Sequence, residues 1–248
     1  MAIDITIQDG VLSIAFARPE KKNAITTAMY AAMAAALRGA AVDDSIRTVV
    51  IAGSPGVFTA GNDLGDFLAN TSDGLARPIV DFMDSLVDLD KPVVAAVTGH
   101  AVGIGVTLLL HCDLVYLAEG ATLATPFVAL GLVPEFGSSY LLPQRLGHAR
   151  AAQGLLLAEP MDAAAAFAFG LVNAVVPAAE VVERAVQAAK RLAALPADAV
   201  QASKRLLREP QRDAIRHAIQ TECEVFAARL RSPETQAALR AFFARRGT

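Results

Sequence analysis

The chain has 248 residues, of which 54% are hydrophobic and 19% charged, enough apolar surface for one sizeable core and too little charge for a disordered polypeptide. Its formal net charge of -3 gives no general attraction to nucleic acid or to an anionic membrane surface, so neither is expected as a partner. Alanine, roughly a fifth of the residues, inflates the hydrophobic fraction. The longest uncharged apolar run, between Lys91 and Asp113, holds Gly99, His100, Gly103, Gly105 and His111, which excludes a lipid-facing span.

In chain order, Ile3, Ile5 and Ile7 and then Leu12, Ile14 and Phe16 alternate on either side of Asp9-Gly10, a hairpin pattern. This N-terminal segment lacks the basic and apolar regions of a signal peptide. Residues 26–41 have high helix propensity, and Thr48–Ala52 is a β-branched strand closed by Gly53. A Gly-rich loop is expected over 56–65. A helix near 76–88 follows, then a buried strand at 93–97, a short helix over 104–111 and a strand over 114–117. Such alternation predicts an α/β fold with parallel strands covered by helices. From residue 178 only helices are expected, over 178–194, 197–208, 211–230 and 234–245, punctuated by Pro196, Pro210 and Pro233. These alanine-rich helices suit packing on the core or on a second subunit. Cys112 and Cys223 fit no metal spacing and read as free thiols in a reducing, cytoplasmic setting. His100, His111, His148 and His217 are scattered singly, so no metal site is expected.

Three segments carry chemistry. In VFTAGNDLGDF (57–67) small residues lead from a strand into a helix start, where Asp63 and Asp66 suit capping roles. In KPVVAAVTGHAVGIGVTLLLHCD (91–113) Gly103 and Gly105 open a helix, whose unsatisfied N–H groups suit a developing negative charge or a phosphate. Asp113 reads as the residue that ends this helix and starts the next strand. In the third segment (125–147) Glu135 is the sole carboxylate. It reads either as an acid/base or as the cap of a helix beginning near Gly137. Leu108 stands where a dinucleotide fingerprint needs glycine, and Gly137-Ser138-Ser139-Tyr140 has the wrong spacing for a nucleophile elbow.

FTAGNDL followed by KPVVAAVTGHAVGIG, with ARPEKKNAIT (17–26) before and AFGLVNAVVP (168–177) after, resembles the crotonase, or enoyl-CoA hydratase/isomerase, family. The resemblance implies an α/β spiral of β-β-α units over 1–195, holding an acyl-CoA site. It also implies a C-terminal helical region over 196–248 that assembles a homotrimer or dimer of trimers. The substrate would be an acyl-CoA thioester, with coenzyme A part of the substrate and no separate cofactor.

Carried over position by position, the resemblance makes the N–H groups of Asn62 and Ile104 the oxyanion donors, framed by Gly61 and Gly103. Ala24 and Ala60 would contact the coenzyme, with Arg18 or Lys22 near its phosphates. Leu64, Phe67, Phe82, Phe127 and Tyr140 are candidates for the acyl pocket. The two glutamates of family hydratases fall at Thr107 and Phe127, neither of which transfers a proton. Glu135 falls where the Δ3,Δ2-enoyl-CoA isomerase branch keeps its single catalytic glutamate. The resemblance therefore implies isomerisation, with a hydratase-like reaction or a non-catalytic acyl-CoA-binding paralogue as the alternatives.

Overall fold

The computed structural model describes residues 2–70 and 75–246. The chain opens with β1 (Ile3–Gln8) and β2 (Val11–Phe16), antiparallel across a turn in which Asp9 and Gly10 take φ 52° and 76°, as a tight hairpin requires. Next come α1 (Thr27–Val42), β3 (Thr48–Ala52), β4 (Gly56–Thr59), α2 (Leu64–Asn70) and α3 (Arg77–Asp88). Strands β5 (Val93–Val97) and β6 (Gly99–Val102) lead into α4 (Ile104–Thr107), which tightens into a 3-10 turn over Leu108–His111. The chain continues through β7 (Leu114–Ala118), β8 (Thr122–Ala124), α5 (Ser138–Leu146), α6 (His148–Leu156), β9 (Met161–Asp162), α7 (Ala163–Ala168) and β10 (Ala174–Val176). It ends in α8 (Val181–Ala193), α9 (Ala197–Leu230) and α10 (Pro233–Arg246).

Among the described residues the strands form two sheets, in the orders β1-β2-β3-β5-β7-β10 and β4-β6-β8-β9. Beyond the hairpin, the first sheet is parallel throughout. Each of β3, β5 and β7 is followed within a few residues by a strand of the second sheet, so the chain winds as successive β-β-α units. The corner between β5 and β6 is tight: a Cβ on Gly99 would lie 2.1 Å from the carbonyl of Gly56. Strands β3 and β5 are buried at every position, as a sheet covered on both faces demands. Helix α8 lies on this sheet against β5, with its Ala185 and Ala189 buried.

Two expectations are corrected. Residues 56–59, expected within a Gly-rich loop, form β4; the strand that Gly103 ends is a separate β6, distinct from β5; and β8 was not expected. These short, glycine- and threonine-rich segments are ordered by cross-sheet pairing, which outweighs local propensity. Second, α9 is one helix of 34 residues that passes through Pro210 where a break was expected. Pro210 leaves the Leu206 carbonyl without its helical donor, but that turn is solvent-facing, with Leu206 78% exposed. Ion pairs on both sides of the proline, Arg205 and Arg212 to Asp90 at 3.0 and 3.2 Å, hold the helix in one line. No helix among the described residues is long and apolar enough to cross a membrane.

Candidate active site

Strands β4 and β6 run parallel, and at their C-terminal ends the chain enters the two glycine-containing segments singled out by sequence. Ile25 N–H donates to the Gly61 carbonyl and Asp63 N–H to the Ile25 carbonyl, both at 2.8 Å. This bridge spans Asn62 and turns the N–H of Asn62 away from Ile25. Ile104 is the first residue of α4, and a first-turn N–H has no partner within its own helix. The two segments touch: a Cβ on Gly61 would stand 2.9 Å from the Val102 carbonyl oxygen, and one on Gly105 2.5 Å from Thr59 Cγ2. The segments that carry Asn62 and Ile104 thus lie against each other. Gly103 takes φ 57° and ψ -119°, which aims the peptide that carries the Ile104 N–H.

Glu135 approaches α4 from the loop before α5. It is 4% exposed, and its Oε1 accepts from Thr107 Oγ1 at 2.6 Å. Thr107 sits three residues after Ile104, one turn along the same helix. Burial pushes the Glu135 carboxyl up to about 8; the Thr107 hydroxyl opposes that rise and the Glu222 carboxylate adds to it. Phe127, the second position where a glutamate is absent, is buried and lies beside Gly103.

Tyr30 ties the two halves together. Its hydroxyl donates to Asn62 Oδ1 at 2.6 Å, and burial, followed by the charge of Glu135, raises its pKa well above the ordinary phenol value. Sequence reading gave α1 no role in the site, because Tyr30 sits in an alanine-rich helix with nothing local to mark it. Tyr30→Phe removes the donor from a half-buried carbonyl, so a loss of about 1 kcal/mol in urea unfolding is expected.

The other candidates are distributed as follows. Asp63 Oδ1 accepts from the N–H groups of Gly65 and Asp66, which is the capping role expected for it. Asp66 instead reaches α1, where Oδ2 accepts from Thr27 N–H at 2.6 Å. Arg18 is bound to Asp63 at 2.7 Å and to the Ala24 carbonyl at 3.0 Å. Its guanidinium therefore clamps the loop, while Lys22 beside it is exposed. Ala60 N–H donates to the Lys22 carbonyl, placing Ala60 against the segment that contains Ala24. Leu64 is half-buried at the start of α2. Phe82 is fully buried between Tyr30 and Phe136, and Phe67 packs on Phe226, so both belong to the core. His111, also buried, donates from Nε2 to the Phe136 carbonyl at 2.8 Å, and burial pushes its pKa down to about 3. Asp113, expected to end a helix, accepts from Val93 N–H and pairs with Lys204 and Arg208.

A family model described as enoyl-CoA hydratase/isomerase matches residues 6–248. The chain belongs to the enoyl-CoA hydratase/isomerase family. Within that family it is 37% identical to enoyl-CoA delta isomerase 2 of Rattus norvegicus over 249 aligned positions, covering 98% of this chain and 63% of that protein. The chain thus spans less than two thirds of the length of this relative. The solved structure of Pseudomonas aeruginosa OdaA is 47% identical, with a TM-score of 0.94 over 97% of this chain and 98% of that one. An enoyl-CoA hydratase/isomerase from Pseudoalteromonas atlantica T6c, 37% identical, also gives a TM-score of 0.94, over 99% and 98% of the two chains. The spiral of β-β-α units is therefore the crotonase fold, with a helical C-terminal region.

Proposed function

We propose that this enoyl-CoA hydratase/isomerase family member moves the double bond of a 3-enoyl-CoA to give the trans-2-enoyl-CoA. The reading rests on one observation: a buried carboxylate, Glu135, hydrogen-bonded to the helix whose first N–H is that of Ile104. In the proposed sequence, ionised Glu135 removes a C2 proton and the electron pair moves into the thioester oxygen. The N–H groups of Asn62 and Ile104 stabilise the resulting dienolate; each such donor is worth about 3–4 kcal/mol of barrier. Glu135, now protonated, returns the proton at C4 and the double bond ends at C2–C3. No water is consumed and no further cofactor is needed, since coenzyme A arrives with the substrate.

Thr107 favours this reaction over hydration. Where a second proton-transfer group would be needed to activate water, the chain offers a hydroxyl already donating to Glu135. Ala24, Ala60, Gly61, Gly103, Leu64 and Phe127 are proposed to bind the thioester, Phe127 beside Gly103 and Ala24 and Ala60 toward the coenzyme. The protein is proposed to work as a homotrimer or dimer of trimers in the reducing cytoplasm. Exposed Leu206 and Leu207 on α9 support association, and native mass in solution checks it.

The test is direct. Purified protein given 3-enoyl-CoA thioesters of several chain lengths should produce conjugated-thioester absorbance, with little hydration of the matching 2-enoyl-CoA. Robust hydration without isomerisation would overturn the reading, and binding of acyl-CoA with no turnover would leave the chain a binding protein.

A further inference from the structure

Glu135 could have served as the cap of α5, whose N-cap is Gly137, a residue without a side chain. That task falls to another carboxylate. Glu222, at 6% exposure, arrives on α9 from 85 residues away; its Oε2 accepts from Gly137 N–H at 2.5 Å and its Oε1 from Ser139 N–H at 2.8 Å. An anion at these amides also meets the positive end of the helix dipole. The turn so held is an unusual one. Phe136 takes φ 58° and Gly137 φ 72°, and a left-handed aromatic residue costs of order 1–3 kcal/mol, so it persists only where its surroundings fix it. The surroundings do so: His111 Nε2 donates to the Phe136 carbonyl, and Ser138 Oγ donates to the Glu135 carbonyl at 2.7 Å.

We propose that Glu222 is the positioning residue for Glu135: by capping α5 in its place, it fixes the Phe136-Gly137 turn and leaves the Glu135 carboxyl to Thr107 and the substrate. This inference rests on the reading of Glu135 as the acid/base and makes α9 part of the machinery. Glu222 has an electrostatic consequence as well. The groups interacting with Glu135 among the described residues are Tyr30 from α1, Thr107 from α4, and Glu222 and Cys223 from α9. Of these, Glu222 supplies the negative charge that disfavours ionisation of Glu135 and so makes it the stronger base.

Glu222→Gln keeps the shape and one acceptor oxygen but removes the charge and one of the two amide contacts. In protein carrying 13C at glutamate carboxyls, with the Glu135 signal identified through Glu135→Gln, the Glu135 titration midpoint should move to lower pH. Turnover should fall about 10- to 100-fold with KM changed little, as expected for a small displacement of a reacting group. Glu224→Gln, on the exposed side of the same helix, should leave both readouts at the wild-type level. The inference fails if Glu222→Gln and Glu222→Ala leave the midpoint unmoved, even where Ala lowers the melting temperature, because a merely structural cap has that signature. Absence of isomerisation by the wild type would defeat the proposed reaction instead, and the carboxyl titration would still decide the role of Glu222.

Discussion

Glu135→Gln should lower turnover on a 3-enoyl-CoA by about 10³-fold, because one positioned acid/base commonly contributes 10²–10⁴ and the proposed reaction has no second group to take its place. The amide keeps the size of the side chain and can still accept from Thr107 Oγ1, so the protein should fold. In the wild type, kcat/KM should rise with pH through about 8 as burial-raised Glu135 ionises. Stability should move in the opposite direction. The carboxyl has an ordinary value of 4.5 and a folded value of about 8, so between them the native state holds a proton that the unfolded chain releases. Folding free energy should therefore decline as pH rises across that window, at roughly 1.4 kcal/mol per unit at most. Glu135→Gln has no proton to lose. It should match the wild type near pH 4.5 and exceed it in urea unfolding at pH 8.5, active-site burial having been relieved of its charge. A variant that is equally active, or one that gains no stability at high pH, would remove Glu135 from the role.

How much of this was legible in the residues follows from the range over which each feature is determined. The hairpin at Asp9-Gly10, the β-branched run Thr48–Ala52 and the glycines at 61, 103 and 105 encode local backbone geometry, and sequence pattern located them. Glu135 stood out because no other charge lies near it in the chain. Strands β4, β6 and β8 carry weak propensity and exist through pairing with one another. Tyr30 and Glu222 act on residues 32 and, for Gly137, 85 positions away, so no local pattern marks their function. A signal did exist for Glu222: Ile215, Ile219 and Phe226 form the buried stripe of α9, and Glu222 occupies a position on that stripe where an apolar residue belongs. A carboxylate at such a place needs a buried partner. Pro210 misled for the converse reason, since helix breaking presumes that the freed carbonyl lacks water.

Gly103→Ala isolates the contribution of the second amide. The added Cβ meets nothing closer than Phe127 Cε1 at 3.7 Å, so the substitution introduces no clash and its effect is carried by the backbone. At φ 57° and ψ -119° an alanine is strained by roughly 1–3 kcal/mol. The cheapest relief is rotation about φ and ψ of residue 103, and ψ sets the plane of the peptide that bears the Ile104 N–H. That N–H would then point away from the thioester oxygen it is proposed to hold, where a donor is worth 10²–10³ in turnover. The coenzyme contacts proposed for Ala24 and Ala60 lie on another segment, so affinity for a non-reacting acyl-CoA should change less than 5-fold, an effect of under about 1 kcal/mol. Turnover reduced 10²-fold with affinity retained is the expected result. Equal losses in both would mean that Gly103 serves to admit the substrate, and unchanged turnover would mean that the Ile104 amide does not hold the oxyanion.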